Sequence, residues 1–213
     1  MSVACAMILW MSITMTSTDN TEDDTALCFS HRAAGDPDYR AYHDDEWGRA
    51  VHGETELFER VCLEIFEVGL SWHAILHRRD AFRDRFHGFD PAMVAAFSDA
   101  DTEHLAADAA IIRNRAKIKA CVTAAKTLLA MHDQGETLDG LIWGFMPANH
   151  PRPTIATRPA LTPESEALAK ALRAKGFTFV GPTNIYATMQ ACGLVNDHIV
   201  GCAIGDTIDR QGG

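Results

Sequence analysis

The sequence predicts an all-α fold, on three observations. Apolar residues recur at three- and four-residue intervals through most of the chain. The segments so marked open at Ser, Thr, Asp or Asn and close at Gly or Pro. No two alternating segments flank a tight turn, and there is no internal repeat.

Taken in order, residues 1–27 contain Asp19, Glu22, Asp23 and Asp24 and no Lys or Arg, and read as a flexible extension. Its first fifteen residues are apolar, but a secretory signal needs a basic leading segment and the first cation of the chain is Arg32. Met7, Met11 and Met15 offer later starts. Cys28–Gly48 reads as an ordered loop and short helix, rich in aromatics and His. Glu54–Val68 is a helix and Ser71–Phe86 a second, decorated by Arg78, Arg79, Arg83 and Arg85. Asp90 caps a short helix with Pro91 at its first position, and Asp101 opens the next.

Leu105–Ala109, the connection Ala110–Arg113 and the long pattern Asn114–Met131 outline a helix–hairpin–helix. Asn114 can cap its second helix, whose first turns carry Arg115, Lys117 and Lys119. Cations there oppose the helix dipole by roughly 0.3–1 kcal/mol, a cost that a phosphate at the exposed N–H groups offsets. An ordinary helical hairpin with a basic surface is the plainer account. Leu138–Phe145 is a short helix, Ala148–Pro163 a Pro-rich extended link, Thr162–Gly176 and Thr183–Cys192 further helices. The organisation expected is an extension over 1–27, a helical domain over 28–204 and a tail over 205–213.

The 213 residues, 47% of them apolar, suffice for one compact domain or two small lobes. A net charge of −10 argues against indiscriminate attraction to nucleic acid, yet it is uneven: basic runs remain at Arg78–Arg85 and Arg113–Lys119. The six cysteines are scattered through helix-like sequence, which predicts a reduced, cytoplasmic setting. No stretch is long enough to span a membrane.

Two places can hold chemistry. In Leu63–Leu76, Glu64 and Glu67 lie three apart on one side of a helix that runs into the break Gly69-Leu70-Ser71-Trp72. A carboxylate beside an aromatic at a helix end suits a cationic or electron-poor ring. The alternative pairs Glu64 with Arg60 on a wet face and sends Trp72 into the core. Second, His198 and Cys202 are four apart, which on a helical turn aims both at one spot. Cys28 with His43 can complete a tetrahedral Zn²⁺ site, although Cys62, Cys121 and Cys192 are available as well.

Five blocks, in order, resemble the DNA-3-methyladenine glycosylase I family: Tyr39-Arg-Ala-Tyr-His-Asp-Asp-Glu-Trp-Gly48; Leu63-Glu64 with Gly69-Leu-Ser-Trp72; Ile111-Ile-Arg-Asn-Arg-Ala-Lys-Ile118; Gly176-Phe-Thr-Phe-Val-Gly-Pro182; and Met189-Gln-Ala-Cys-Gly-Leu-Val-Asn-Asp-His198. The resemblance spans Cys28–Cys202. It implies a helix–hairpin–helix glycosylase fold and a structural zinc on Cys28, His43, His198 and Cys202, joining the two ends of the domain. It also implies a base pocket with Glu64 as catalytic residue and Tyr42, Trp72, Tyr39 and Glu67 around it. Gly69 and Leu70 would enter the duplex, with Arg113, Asn114, Arg115 and Lys117 on the DNA. The implied protein is a monofunctional, monomeric enzyme acting on alkylated double-stranded DNA.

Three positions depart from the family pattern. Cys28-Phe29-Ser30 stands for Cys-x-Trp, which leaves one aromatic wall missing or replaced; Glu67-Val68 stands for Gln-Ala; Arg49-Ala50 follows Trp47-Gly48 where x-Pro is usual. Like charge at Glu67 is expected to raise the pKa of one of the two glutamates. These departures keep two alternatives open, a non-catalytic damage-binding relative and a glycosylase of different base range.

Overall fold

The computed structural model describes residues 27–29, 33 and 35–211. Residues 1–26 of the expected extension and Ser30 lie outside the described residues. Those described form eleven α-helices and a 3₁₀ turn at His87–Phe89, with no strand among them. The helices are α1 (Pro37–Asp45), α2 (Glu54–Glu67), α3 (Trp72–Leu76), α4 (Arg79–Arg85), α5 (Pro91–Ala95), α6 (Asp99–Ala107), α7 (Arg115–His132), α8 (Leu138–Trp143), α9 (Pro163–Lys175), α10 (Pro182–Ala191) and α11 (Ala203–Gln211).

Helix α2 is the axis of the core. Its Leu57, Phe58, Val61, Cys62, Leu63, Ile65 and Phe66 are all buried, because α7, α10 and the 3₁₀ turn pack around it. Phe66, Phe82, Phe86 and Phe89 form an aromatic stack that holds α4 and the turn beneath it. Helices α6 and α7 make the hairpin, and α5 lies along α7. A second, smaller cluster gathers Cys28, Tyr39, Tyr42, Trp47, Leu76 and Ile199 beside the main core.

Local signals place most of the boundaries. Asp90 Oδ1 accepts the amides of Ala92 and Met93, and Thr162 with Ser165 closes a capping box. Gly176 ends α9 in the left-handed region, at φ +112°.

Three expectations are corrected. The helix expected over Ser71–Phe86 is two, because the chain leaves helical geometry at Arg78 (φ −116°, ψ 4°), where His77 turns to Asp36 and Asp38. Helix α6 starts at Asp99 with Ser98 as its cap, Asp101 being the returning partner of the capping box. The expected tail over 205–213 is largely helix α11, tied down by Asn196, whose Nδ2 donates to Gly205 O and Asp209 Oδ1, and by Arg152, which pairs with Asp206 and Asp209.

Candidate active site

The C-terminal half of α2 delivers Glu64 to the seam between the two apolar clusters, where it is 3% exposed. A cavity of 290 Å³ opens there, with Phe29, Tyr42, Glu64, Glu67, Trp72 and Gln190 in its wall. Tyr42 and Trp72 rings lie 5.1 Å apart, and Phe29 packs 6.0 Å from Tyr42 and 4.6 Å from Trp47. Phe29 therefore supplies the aromatic wall that Cys28-Phe29-Ser30 had put in question, one position before the family's tryptophan. Tyr39 lies behind it, 5.3 Å from Phe29 and close to fully buried.

Glu64 does not pair with Arg60. That arginine turns instead to Glu46, with Nη2 2.7 Å from Oε2, alongside Arg79 Nη2 at 2.6 Å from Oε1. Glu64 Oε2 and Trp72 Nε1, both buried, have no hydrogen-bond partner among the described residues. Leaving such atoms unmatched costs about 1–3 kcal/mol each, so an acceptor and a donor held bare in an aromatic cavity are provision for a ligand. Burial first, and then the neighbouring Glu67 charge, push the Glu64 carboxyl well above its usual range, with Arg60 opposing. Burial also raises the Tyr42 phenol, reinforced by Glu64 and Glu46.

Sequence reasoning missed the far wall. Tyr186 and Gln190, one turn apart on α10, both donate to Asp197 Oδ2 at 2.5 Å, and His150 Nε2 lies 2.6 Å from Oδ1. These hydrogen bonds outweigh burial and hold the fully buried Asp197 ionised below its ordinary range. Gln190 and Asp197 belong to the Met189–His198 block, so the signal was present without a role attached. The wall reaches the pocket because Gly193, at φ +75°, docks on the 48–51 backbone: Gly48 N donates to Gln190 O and Val51 N to Cys192 O, each at 3.0 Å. A Cβ at Gly193 would meet Arg49 and Ala50 backbone atoms at 2.3–2.5 Å.

The four expected metal ligands converge and are all fully buried. His43 Nε2 and His198 Nδ1 are 3.1 Å apart; Cys202 Sγ lies 3.6 and 3.4 Å from them, and Cys28 Sγ 3.8 Å from His198. These four separations match the ligand–ligand edges around a tetrahedral Zn²⁺, whose bonds to N and S are about 2.0–2.3 Å. The second ring nitrogens are engaged too: His43 Nδ1 with Asp44 Oδ1 at 2.6 Å and His198 Nε2 with the Trp47 carbonyl at 3.0 Å. Both rings thus turn an acceptor nitrogen inward, as metal ligands do. The residues fit the group. The route differs from expectation, since His198 and Cys202 meet across a turn, Cys202 N donating to Ile199 O, rather than on a helix.

At the hairpin, Asn114 caps α7 by accepting the Lys117 amide, and Arg113 is exposed at the tip. Arg115 pairs with Glu103 while remaining more than half exposed. Lys117 overturns its expected place on the DNA: it is 4% exposed, and its ammonium donates to the carbonyls of Phe66 and Val68 at the end of α2. The reason is rotational, since the α7 face that carries Ile118 and Cys121 into the core carries Lys117 with it. The arginines of the other basic run are also engaged, Arg79 with Glu46, Arg83 with Glu59 and Arg85 with Asp108. Gly69 (φ +78°) and Leu70 follow as an exposed turn, Leu70 being 47% exposed. They border a groove of 690 Å³ shared with Glu67, Arg173 and Phe179.

A helical hairpin, an exposed apolar turn and an aromatic cavity with a buried, unmatched carboxyl oxygen together define a helical protein with a pocket suited to a flat, electron-poor ring. The family model for methyladenine glycosylase matches residues 32–205, and the chain belongs to that family. It is 49% identical over 172 residues to DNA-3-methyladenine glycosylase 1 of Escherichia coli K12, covering 78% of this chain and 91% of that one. It is similar to a crystal structure of 3-methyladenine DNA glycosylase I at 45% identity, TM-score 0.77, covering 79% and 94% of the two chains. It is also similar, at 27% identity and TM-score 0.78, to a variant of 3-methyladenine DNA glycosylase I in complex with 3-methyladenine, covering 84% and 97%.

Proposed function

We propose that this chain excises 3-methyladenine from alkylated double-stranded DNA by hydrolysing its N-glycosidic bond. The observation that carries this reading is Glu64, buried among Phe29, Tyr42 and Trp72 with Oε2 unmatched.

An adenine methylated at N3 is cationic, so the C1′–N9 bond breaks with its electron pair passing to the ring and the base leaves neutral. Water then adds to C1′ and gives up a proton. Little general-acid work is required; the protein must extrude the nucleotide, hold the ring and stabilise the cationic sugar. Tyr42, Trp72 and Phe29 offer π-faces to the cation. Glu64 accepts from the base edge, and the arriving positive charge favours its ionised form, so binding and loss of the Glu64 proton are linked. Trp72 Nε1 offers a donor. Leu70 on its Gly69 hinge fills the gap left in the stack, and Arg113 and Arg115 with the capped start of α7 take phosphates.

A Zn²⁺ on Cys28, His43, His198 and Cys202 would hold the two ends of the domain together. With four protein ligands it has no open position and a structural role. The enzyme is monofunctional in this reading, since among the described residues no lysine lines the pocket to attack C1′. It works as a monomer in the cytoplasm; among the described residues no helix is long and apolar enough to cross a membrane.

The test is chromatographic release of free bases from methylated duplex DNA, with Glu64→Gln alongside. Release of 3-methyladenine that the variant loses supports the reading. A folded, zinc-loaded protein that binds DNA and releases nothing would be a non-catalytic relative.

A further inference from the structure

A second cluster of metal-binding side chains lies on the surface between α1 and α3. Asp36, His73 and His77 bring one ligand atom each to within 4.8 Å of one another. His73 and His77 are four apart along α3 and its C-cap, which brings their rings to 4.2 Å, tilted by 48°. Asp36 Oδ2 faces both, 2.9 Å from His77 Nε2 and 3.4 Å from His73 Nε2.

Two details separate this cluster from a chance ion pair. Asp36 is held from behind: its Oδ1 caps α1 by accepting the amides of Asp38 and Tyr39, which leaves Oδ2 directed outward in one orientation. His77 is held likewise, because Asp38 Oδ2 lies 3.0 Å from its Nδ1 and leaves Nε2 as the inward nitrogen. That is the carboxylate–histidine–metal arrangement that orients a ligand and raises its basicity.

The geometry points to a second metal site, Asp36–His73–His77, that takes one divalent transition ion of imidazole-preferring character and clamps α1 to α3. Two imidazoles and one carboxylate favour Zn²⁺, Ni²⁺, Co²⁺ or Cu²⁺ over Mg²⁺ or Ca²⁺. Three protein ligands leave positions for water, so the ion is exchangeable, unlike one enclosed by the buried Cys₂His₂ set. The clamp also acts on the pocket: α1 carries Tyr42 and α3 carries Trp72, and His73 stacks on Tyr39 at 6.0 Å.

The experiment starts from full-length protein already loaded with Zn²⁺ and freed of loose metal by brief chelation, titrated with Ni²⁺ by calorimetry. One further equivalent is expected, lost in His73→Ala and in His77→Ala. In parallel, Co²⁺ added to the zinc-loaded protein is expected to give weak d–d bands without thiolate charge-transfer absorption. His73 is 56% exposed on its side chain, so His73→Ala keeps the fold, and unchanged circular dichroism checks it. Absence of a second equivalent, or one that survives in both variants, overturns the site. Charge-transfer absorption would likewise overturn it, by placing the ion on the cysteines.

Discussion

The Lys117 ammonium lies 2.8 Å from the carbonyl oxygen of Phe66, a residue 51 positions away, and reaches the Val68 carbonyl as well. One side chain of the hairpin thus closes the C-terminus of α2, where carbonyls have no helical partners. The turn that bears Leu70 begins directly after. Lys117→Met should lower stability by roughly 1–3 kcal/mol, the cost of leaving buried carbonyls unmatched. Denaturant unfolding measures it. The salt slope of DNA binding should stay as in the parent. Arg113→Ala should instead reduce that slope by about 0.9 for each phosphate the arginine neutralises.

Glu64→Gln separates function from stability. Loss of a charge-assisted hydrogen bond to the base edge is worth roughly 2–3 kcal/mol, or about 30- to 150-fold in base release. Stability should move the other way. The folded-state pKa of Glu64 is raised, so its favourable contribution is fully present below the unfolded value and disappears as pH rises toward the folded one. Thermal unfolding should find the variant more stable than the parent at pH 7–8 and no better near pH 4.

Glu67→Gln removes the like charge that helps push Glu64 up. The Glu64 pKa should fall, and base release at neutral pH should rise, because more of the Glu64 carboxyl is ionised there. A pH–rate profile of the two proteins reads both changes. A profile that does not move would show that Glu67 leaves Glu64 unaffected.

Glu46 binds two arginines at once and, although partly buried, is held down to about 2. For this depressed carboxylate the contribution is present above the unfolded value near 4.5 and is lost as pH falls from there toward 2. Glu46→Gln should cost roughly 2 kcal/mol at pH 7, less than half of that at pH 3 and little at pH 2, as followed by urea unfolding across pH.

Prolonged chelation that removes the proposed Zn²⁺ should lower the melting temperature and abolish base release together. Asp44→Asn, which weakens the partner of His43 Nδ1, should reduce metal affinity by roughly 10- to 100-fold. Competition against a chromogenic chelator measures that change.

The central helix and the hairpin were legible because burial there follows the helical period: α2 matches its expected span to a residue, and Asn114 caps where expected. The metal quartet was readable as a set but not as a geometry, because its last two members meet through a turn. What escaped depended on distant contacts. The end of α3 is set by Asp36 and Asp38, some forty residues back. The inward direction of Lys117 depends on how α7 is rotated against the core. Helix α11 is only nine residues long and is held by Arg152 and Asn196. Phe29 showed as a gap in a motif, and only packing reveals that it fills that gap.

His198 joins the metal cluster 170 residues beyond Cys28. During synthesis Cys28 and His43 therefore precede their partners by the whole of α2–α10. An ion held by all four residues can be taken up only once Cys202 has been made. The quartet can therefore assemble only after α1–α10 have been made, with α11 still to follow Cys202.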